Sequence, residues 1–210
     1  MTELFIIGTG GAAKEIIQLV EQINELKPVF ELKGFVDIDT KKKEIQFFGK
    51  TYLLMAEAEF IESEKNVNVI VANGNALTRA KVYNLYKNFT FPNLIHPVVE
   101  IHASVVLGVG NIIKMGCIIT TDILIGDNNY INRGVQIGHD IKIGSHNVFN
   151  PASVISGGVE LGTRNNIGAN ATILPYKKVG NENTLGAGAV LAQDTTDGNL
   201  LIGIPAKIKE

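Results

Sequence analysis

The stretch ITTDILIGDNNYINRGVQIGHDIKIG, residues 119–144, decides the fold of this chain, because a large apolar residue recurs in it at every sixth position. The same spacing continues on both sides. The apolar positions of the full repeat are Ile95, Ile101, Leu107, Ile113, Ile119, Ile125, Ile131, Ile137, Ile143, Phe149, Ile155, Leu161, Ile167, Ile173, Val179, Leu185 and Leu191. With 45% hydrophobic residues in the chain, such an unbroken run would arise by chance with a probability on the order of 10⁻⁶. The period is therefore a structural repeat.

A period of six fits neither an α-helix nor a plain alternating strand. It fits a short strand followed by a tight turn, so that three hexads form one triangular coil and the apolar side chains stack inside it. Glycine follows the apolar residue in eight hexads, at Gly108, Gly126, Gly138, Gly144, Gly162, Gly168, Gly180 and Gly186. Small residues and asparagine recur three positions further on. We expect glycine and asparagine to supply the backbone angles of the corners.

The first ninety residues follow a different pattern. LFIIGTGGAAKEIIQLVEQI predicts a strand over residues 4–7, a glycine turn and then an amphipathic helix. KGFVDID predicts a second strand that ends at Asp37 and Asp39, and NVIVANGNALTRAKVYNLYKN a third strand and a second helix. The sequence therefore predicts a small Rossmann-like α/β domain with a parallel sheet over residues 1–92, followed by a β-helix domain over residues 93–210.

The glycine turn, Gly8 to Ala13, is a candidate anion site. Backbone N–H groups at a helix N-terminus favour a bound diphosphate. The turn departs from the dinucleotide-binding pattern at its last glycine, and Asp37 lies later than the acidic residue of that pattern, which disfavours a dehydrogenase. A tight strand-to-helix turn with no ligand remains the alternative on this motif alone.

Composition excludes several classes of function. The chain has 19 Lys plus Arg against 21 Asp plus Glu, so a basic surface for nucleic acid is not expected. The N-terminus lacks the features of a signal peptide and no segment is apolar enough for a membrane span, so we expect a cytoplasmic protein with no membrane partner. Cys117 is the single cysteine, and its place among the small residues of the repeat favours packing over nucleophilic catalysis.

The repeat from about residue 101 to residue 191, and the GIPAK sequence at residues 203–207, resemble the hexapeptide-repeat acyltransferases. The resemblance implies a left-handed parallel β-helix and a homotrimer. Joined to the α/β domain, the whole chain resembles the bacterial sugar O-/N-acyltransferases of the PglD and NeuD type. These relatives take acetyl-CoA as co-substrate and bind a nucleotide sugar in the first domain, as part of cell-surface polysaccharide biosynthesis.

The resemblance also implies site residues. It assigns the nucleotide sugar to Gly10 and Gly11 of the glycine turn and to Asp37 with Asp39. We also expect coenzyme A to contact the β-helix residues Gly157, Gly158 and Ala187. Relatives often carry histidine where this chain has Ala12, so one substrate contact is absent or replaced. No metal is expected.

His139 breaks the repeat at a position where small residues are usual. As the third residue of its hexad it should face outward near a corner, and eighteen residues later Gly157 and Gly158 leave a groove beside it that suits a pantetheine arm. Histidine is a suitable base near neutral pH, and the adjacent Asp140 could orient it if a local turn brings the two side chains together. A hydrogen-bonded corner residue is the alternative. The role of His146 stays open.

We therefore predict an acetyl-CoA-dependent N-acetyltransferase that acts on an amino sugar linked to UDP or dTDP, with His139 as general base and Asp140 as its partner. O-acetylation of a sugar such as sialic acid would use the same base. A zinc hydratase of the carbonic anhydrase type would need a third histidine beside His139 and His146. A non-catalytic trimeric nucleotide-binding protein is the remaining alternative.

Overall fold

The N-terminal domain is a three-layer α/β unit in the computed structural model, which describes residues 1–38 and 40–209. Its elements are β1 (Thr2–Ile7), α1 (Gly11–Leu26), β2 (Phe30–Asp37), β3 (Glu44–Phe47), β4 (Lys50–Ala56), α2 (Glu57–Ser63), β5 (Asn68–Val71) and α3 (Ala76–Leu85). The sheet has the order β3-β4-β2-β1-β5 and is parallel except for the β3–β4 pair. The predicted strands and helices are present, whereas the β3–β4 hairpin and α2 were not predicted.

Nearly all strands of the second domain have only two or three residues, and turns connect them. These are β6 (Leu94–Ile95), β7 (Val106–Leu107), β8 (Ile112–Ile113), β9 (Ile118–Ile119), β10 (Ile123–Ile125), β11 (Tyr130–Ile131), β12 (Gln136–Ile137), β13 (Ile141–Ile143), β14 (Val148–Phe149), β15 (Val154–Ile155), β16 (Glu160–Leu161), β17 (Asn166–Ile167), β18 (Thr172–Ile173), β19 (Lys178–Val179), β20 (Thr184–Leu185) and β21 (Val190–Leu191). The antiparallel pair β22 (Leu200–Gly203) and β23 (Ala206–Ile208) closes the end.

These strands form three sheets that are the three faces of a prism, and all their pairings are parallel except the terminal β22–β23 pair. Face 1 holds β7, β10, β13, β16 and β19, face 2 holds β6, β8, β11, β14, β17, β20, β22 and β23, and face 3 holds β9, β12, β15, β18 and β21. From β6 to β21 each strand pairs with the strand eighteen residues away, as in the partnership of Ile137 with Ile155, whereas β20 pairs with β22 at an offset of sixteen residues. The fold class is confirmed: a small α/β domain precedes a left-handed parallel β-helix of hexapeptide repeats.

Three edges join the faces, and each is named here after one of its residues. The His146 edge, between faces 1 and 2, comprises residues 108–111, 126–129, 144–147, 162–165 and 180–183. The Arg133 edge, between faces 2 and 3, comprises residues 114–117, 132–135, 150–153, 168–171 and 186–189. The His139 edge, between faces 3 and 1, comprises residues 120–122, 138–140, 156–158 and 174–176.

The corner conformation belongs to a different position of the hexad from the one predicted. Every sixth residue from 110 to 188 has a positive φ, and this set includes Asp140 (+55°), Gly158 (+72°) and Tyr176 (+58°). The glycines that directly follow the apolar residue have no left-handed φ. They are required because the coils approach closely: a Cβ on Gly138 would lie 2.7 Å from the backbone nitrogen of Gly157. The prediction that these glycines turn the corner was therefore wrong.

A column of buried asparagines runs along the His146 edge. The Oδ1 atom of each asparagine accepts the backbone N–H of the asparagine one coil above, as in Asn147 N to Asn129 Oδ1 at 2.9 Å and Asn165 N to Asn147 Oδ1 at 2.8 Å. The ladder comprises Asn93, Asn111, Asn129, Asn147, Asn165, Asn183 and Asn199. These bonds satisfy buried backbone donors that the tight turns cannot pair with one another.

The α/β domain packs on face 2. Leu94, Ile112, Tyr130 and Val148 on the outside of this face share one apolar cluster with α1. Beside the cluster, Glu15 accepts hydrogen bonds from Lys114, from the Tyr130 hydroxyl at 2.8 Å and from Arg133 at 3.2 Å. No helix in the described ranges is long and apolar enough to cross a membrane.

Candidate active site

His139 and Asp140 form a hydrogen-bonded pair on the outside of the prism. The Nδ1 atom of His139 lies 2.7 Å from Oδ2 of Asp140, and the two side chains are 59% and 68% exposed. Adjacent side chains of a strand point apart, but the left-handed backbone of Asp140 turns its carboxylate back toward the imidazole. The local turn that the pair requires is therefore part of the repeat itself.

The imidazole of His139 lies across the backbone of Gly157 in the next coil. A Cβ built on Gly157 would be 2.8 Å from Nε2 and 2.9 Å from Cε1 of the ring, closer than real side chains approach. Only glycine at this position leaves the ring where it is. With Nδ1 donating to Asp140, Nε2 carries the free lone pair, and it makes no hydrogen bond to any residue that the structure describes.

The backbone N–H of Gly157 is also free of partners within the described chain. At most equivalent positions of the His146 edge this N–H donates to a side chain one coil above, as Asp127 does to Ser145 Oγ at 2.9 Å. The residue one coil above Gly157 is Pro175, which has no side-chain acceptor. The neighbouring Gly158 N–H donates to the carbonyl oxygen of His139 at 2.9 Å. One unpaired donor therefore belongs to the residue that the imidazole covers.

Tyr176 completes this part of the edge. Its ring lies on Gly158, where a Cβ would be 2.6 Å from Cε1 and 3.2 Å from Cγ of the ring. The side chain remains 72% exposed, so most of it faces solvent although one side of the ring lies against the glycine. The sequence gives no sign of a role for Tyr176, because nothing in the repeat indicates which way an exposed corner side chain folds.

The α/β domain contains a cavity of about 250 Å³ at the carboxyl ends of its parallel strands. Its lining consists of Ile7, Gly8, Thr9, Gly10, Val36, Asp37, Ile38, Glu57, Val71, Ala72, Asn73, Thr78 and Val82. This is the place where parallel α/β sheets bind ligands. Gly10 precedes α1 directly, so the free N–H groups of the first helical turn face the same region.

The predicted substrate residues are placed as follows. Gly10 and Asp37 line the cavity, and Gly11 is the first residue of α1 with open space around its Cα. Asp39 lies outside the described residues. Asp37 is held by Thr9, whose hydroxyl donates to Oδ2, and by the Ile38 N–H, which donates to Oδ1 at 2.8 Å.

Gly8, the first residue of the predicted glycine turn, also lines the cavity. Its φ is +107°, and a Cβ on it would lie 2.9 Å from the carbonyl oxygen of Ala72. The turn before α1 therefore needs glycine at this position to bring β1 and β5 together at the floor of the cavity. This residue is the first glycine of the GTGG sequence, which is the sequence feature that indicates the left-handed backbone and the close approach.

Arg79, which follows the Asn73–Asn75 loop, is completely buried between the two domains. Nη1 donates to the carbonyl oxygens of Val71 and Asn73 at 2.8 and 3.1 Å. Nε and Nη2 donate to the backbone and side-chain oxygens of Asn128 at 3.1 and 2.6 Å. Burial lowers the pKa of this guanidinium. Arg79 therefore ties the rim of the cavity to the β-helix and does not face the cavity itself.

The remaining candidates lie on other edges. Ala187 is exposed on the Arg133 edge, so within one chain it does not meet Gly157 and Gly158. His146 is on its own edge, where Nδ1 lies 3.0 Å from Nδ2 of Asn128 and the ring packs on Tyr83. Burial, and next the charge of Arg79, lower the pKa of His146. His139 and His146 are on different edges, so within one chain they cannot share a metal ion.

Two further observations concern alternative chemistry. Cys117 is buried inside the prism, and burial raises the pKa of its thiol to about 11. A protonated, inaccessible thiol is a poor nucleophile. Within residues 1–38 and 40–209, no three His, Cys, Asp or Glu side chains are grouped to hold a metal ion.

The cavity and the imidazole of one chain lie on opposite sides of the prism. The α/β domain covers face 2, and His139 lies on the edge between faces 3 and 1. A triangular prism places that edge directly opposite face 2. A ligand held in the cavity of one chain is therefore separated from the imidazole of the same chain by the body of the β-helix.

Comparison with known proteins places the chain in a family. The PglD N-terminal domain family matches residues 3–86. No curated protein sequence matches the chain at a significant level. The crystal structure of PerB from Caulobacter crescentus, in complex with CoA and GDP-perosamine, is 31% identical over 100% of this chain and 98% of that chain, with a TM-score of 0.87.

Two further structures support the same assignment. A histidine-to-asparagine variant of perosamine N-acetyltransferase from Caulobacter crescentus is 30% identical over 100% of this chain and 98% of that chain, with a TM-score of 0.88. The acetyltransferase domain of PglB from Neisseria gonorrhoeae is 25% identical over 100% of both chains, with a TM-score of 0.84. The chain thus belongs to the hexapeptide-repeat sugar acyltransferases that carry a PglD-type N-terminal domain.

Proposed function

We propose that this protein transfers the acetyl group of acetyl-CoA to the amine of an amino sugar carried on a nucleotide. The observation that carries the proposal is the paired His139 and Asp140, with Nε2 exposed over the bare backbone of Gly157. The similarity to PerB, whose crystal structure holds CoA and GDP-perosamine, supports the choice of both substrates. The acetyl group arrives as a thioester, and the glycines leave room for a thin donor beside the base.

His139 is the general base of this proposal. Asp140 accepts the Nδ1 hydrogen, which fixes the tautomer and stabilises the imidazolium that forms later. Nε2 takes a proton from the amine as the new C–N bond forms. The C–S bond then breaks, and the departing thiolate receives the proton from Nε2. The products are an N-acetylated sugar and free CoA.

The free N–H of Gly157 is the best placed donor for the oxyanion. It belongs to the residue over which the imidazole lies and is unpaired within the described chain, whereas the Gly158 N–H already bonds to the carbonyl oxygen of His139. One such donor typically lowers a barrier by about 3 kcal/mol. Gly157 would therefore serve twice, by leaving space for the imidazole and by stabilising the negative charge.

The cavity of the α/β domain is the proposed nucleotide site. Gly10 and Gly11 would present backbone N–H groups to the diphosphate, and Asp37 would accept hydrogen bonds from the sugar or ribose hydroxyls. The sequence predicts UDP or dTDP, and the relative's GDP-perosamine adds GDP to the candidates. Thermal stabilisation by each nucleotide separates the three, because a ligand that binds only the folded chain raises Tm.

A homotrimer would bring the cavity of one chain next to His139 of a neighbouring chain. Since the cavity and His139 of one chain lie on opposite sides of the prism, a neighbouring copy must bring its cavity to the His139 edge. The two faces that flank this edge expose apolar side chains in the early coils, with Val106 58%, Ile118 57% and Leu124 48% exposed. Light scattering should give three times the chain mass of 22.7 kDa. A monomer at assay concentration would contradict the shared site.

Mixing two inactive variants tests the shared site directly. His139→Asn removes the base and Asp37→Ala removes the cavity carboxylate, so each homotrimer alone should be inactive. Unfolded together and refolded, random assembly pairs an intact cavity with an intact imidazole at about a quarter of the interfaces. Recovery near that fraction of wild-type activity supports sharing between chains, and no recovery argues for a site within one chain.

The reaction itself is tested with purified full-length protein. Thiol release from acetyl-CoA is followed with UDP-, dTDP- and GDP-linked 4-amino-deoxy sugars, and the product mass and its resistance to hydroxylamine distinguish an amide from an ester. His139→Asn should abolish turnover while both substrates still bind. Turnover by that variant would remove the histidine from the mechanism, and a hydroxylamine-sensitive product would indicate O-acetylation.

A further inference from the structure

We propose that Tyr176 is a donor-binding residue whose ring supports the pantetheine arm of acetyl-CoA beside His139. This inference rests on the proposed function and adds a residue to it. The phenol ring and the imidazole occupy neighbouring places at one level of the His139 edge. His139 rises from the coil below to lie on Gly157, and Tyr176 folds down from the coil above to lie on Gly158.

The ring is held in this place by packing on backbone. A side chain at residue 158 would overlap the ring, so Gly158 is needed both for its φ of +72° and for the ring that covers it. Most of the side chain remains in solvent, since Tyr176 is 72% exposed. Burial therefore stabilises the fold little through this side chain.

Backbone conformation also gives no reason for tyrosine. Tyr176 has a φ of +58°, a conformation that bulky residues seldom adopt and that Gly, Asn and Asp tolerate best. The other left-handed positions of the same edge are Asp122, Asp140 and Gly158. A large exposed aromatic at this corner fits a ligand-contacting role better than a folding role.

The level of Tyr176 along the prism indicates which substrate it contacts. The α/β domain packs on the early coils, from Leu94 to Val148 on face 2. A nucleotide sugar held by that domain therefore reaches His139 from the N-terminal side, and this holds for any copy related by an axis parallel to the prism. Tyr176 lies two coils above Asp140, on the C-terminal side. The acyl donor must then approach along this side and pass the exposed ring face.

The thin, flexible pantetheine arm suits the narrow strip between the two rings. Contact with an aromatic face typically contributes enough to change affinity by roughly three- to tenfold. The ring would thus hold the thioester near Nε2 without taking part in proton transfer. We expect its loss to weaken donor binding and to leave sugar binding unchanged.

The experiment uses calorimetric titration of full-length protein with free CoA, followed by steady-state kinetics. Tyr176→Asn keeps a residue that tolerates the left-handed backbone, and Tyr176→Phe keeps the ring. The Kd of CoA and the KM of acetyl-CoA should rise roughly three- to tenfold in Tyr176→Asn and stay within twofold in Tyr176→Phe. The KM of the nucleotide sugar should not change in either variant. Glu182→Asn, at the same hexad position on the His146 edge, is the matched control.

A shorter donor identifies the part of CoA that meets the ring. With S-acetylpantetheine, which lacks the nucleotide, Tyr176→Asn should lower kcat/KM by the same factor as with acetyl-CoA. An effect seen with acetyl-CoA alone would move the contact to the nucleotide and overturn the proposal, as would unchanged CoA binding in Tyr176→Asn. If the wild-type protein binds no CoA, the proposed function itself fails, which is a separate outcome.

Discussion

Replacing Gly157 with alanine should damage catalysis without damaging the fold. The new Cβ would lie 2.8 Å from Nε2 of His139, whereas ordinary contacts begin near 3.4 Å. The imidazole must therefore move by at least about 0.6 Å, and it is free to do so because the side chain is 59% exposed. A displacement of this order at a reacting atom lowers turnover by roughly tenfold to a hundredfold, or about 1.4 to 2.7 kcal/mol in the barrier.

The same variant should be as stable as the wild type or slightly more stable. Gly157 has no left-handed φ, so alanine fits its backbone and restricts the unfolded chain, which typically stabilises by about 0.4–1 kcal/mol. Gly158→Ala is the contrast, because its φ of +72° and the Tyr176 ring both oppose a side chain. We expect Gly158→Ala to lose stability, by about 1 kcal/mol or more.

The assay combines kcat and KM for both substrates with urea unfolding. Gly157→Ala should show a reduced kcat, an unchanged KM for the nucleotide sugar and an unfolding midpoint no lower than wild type. Gly74→Ala, at a position with open space around it, reports the general effect of the substitution on unfolding. Full activity in Gly157→Ala would refute the placement of the imidazole over this glycine. A loss of activity matched by a loss of stability would refute it as well.

Three further predictions concern the residues that hold the site together. Burial and the charge of Arg79 lower the pKa of His146, so the unfolded chain takes up a proton first as the pH falls. The stability contributed by neutral His146 is therefore complete above a pH of about 6.5 and is lost as the pH falls through the folded-state pKa. The drop in Tm between pH 7.5 and 5.5 should be smaller in His146→Asn than in the wild type. Arg79→Met leaves four carbonyl oxygens without their donor and should lower the free energy of unfolding, measured with urea, by about 2–4 kcal/mol. Arg79→Lys should recover only part of this stability, because one ammonium group cannot reach all four oxygens. Equal stability of wild type and Arg79→Met would contradict the buried contacts. Asn147→Ala interrupts the asparagine ladder in a buried coil and should cost about 2–3 kcal/mol, whereas a change below 0.5 kcal/mol would show that water replaces the lost bonds.

The β-helix was predictable because its signal is additive. Each apolar residue at the sixth position adds to the same inference, and seventeen of them leave no competing period. The pairing of His139 with Asp140 could be predicted only on the condition of a local turn, since sequence spacing does not give the backbone conformation of residue 140. The repeat provides that turn, because every sixth residue, including Asp140, has a left-handed backbone. The glycines that follow the apolar residues did not reveal this position.

Other parts of the site depend on contacts between distant segments. Arg79 lies in the second predicted helix, and only the docking of α3 against the His146 edge buries it on Asn128. The free N–H of Gly157 depends on the absence of an acceptor at Pro175, one coil away. The assignment of Ala187 to the same region as Gly157 would require a second chain, because the two residues occupy different edges of one prism.

The stacked coils also set the distance along the prism axis between the nucleotide site and the imidazole. The α/β domain packs on one set of coils and His139 belongs to another, so this axial offset can change only in whole steps of about 4.8 Å. Gaining or losing one coil of eighteen residues would reset this offset by one step and leave every edge and its chemistry in register. Such a change would suit an acceptor longer or shorter by about one sugar unit, whereas choosing between neighbouring amines on one ring requires finer adjustment inside the cavity.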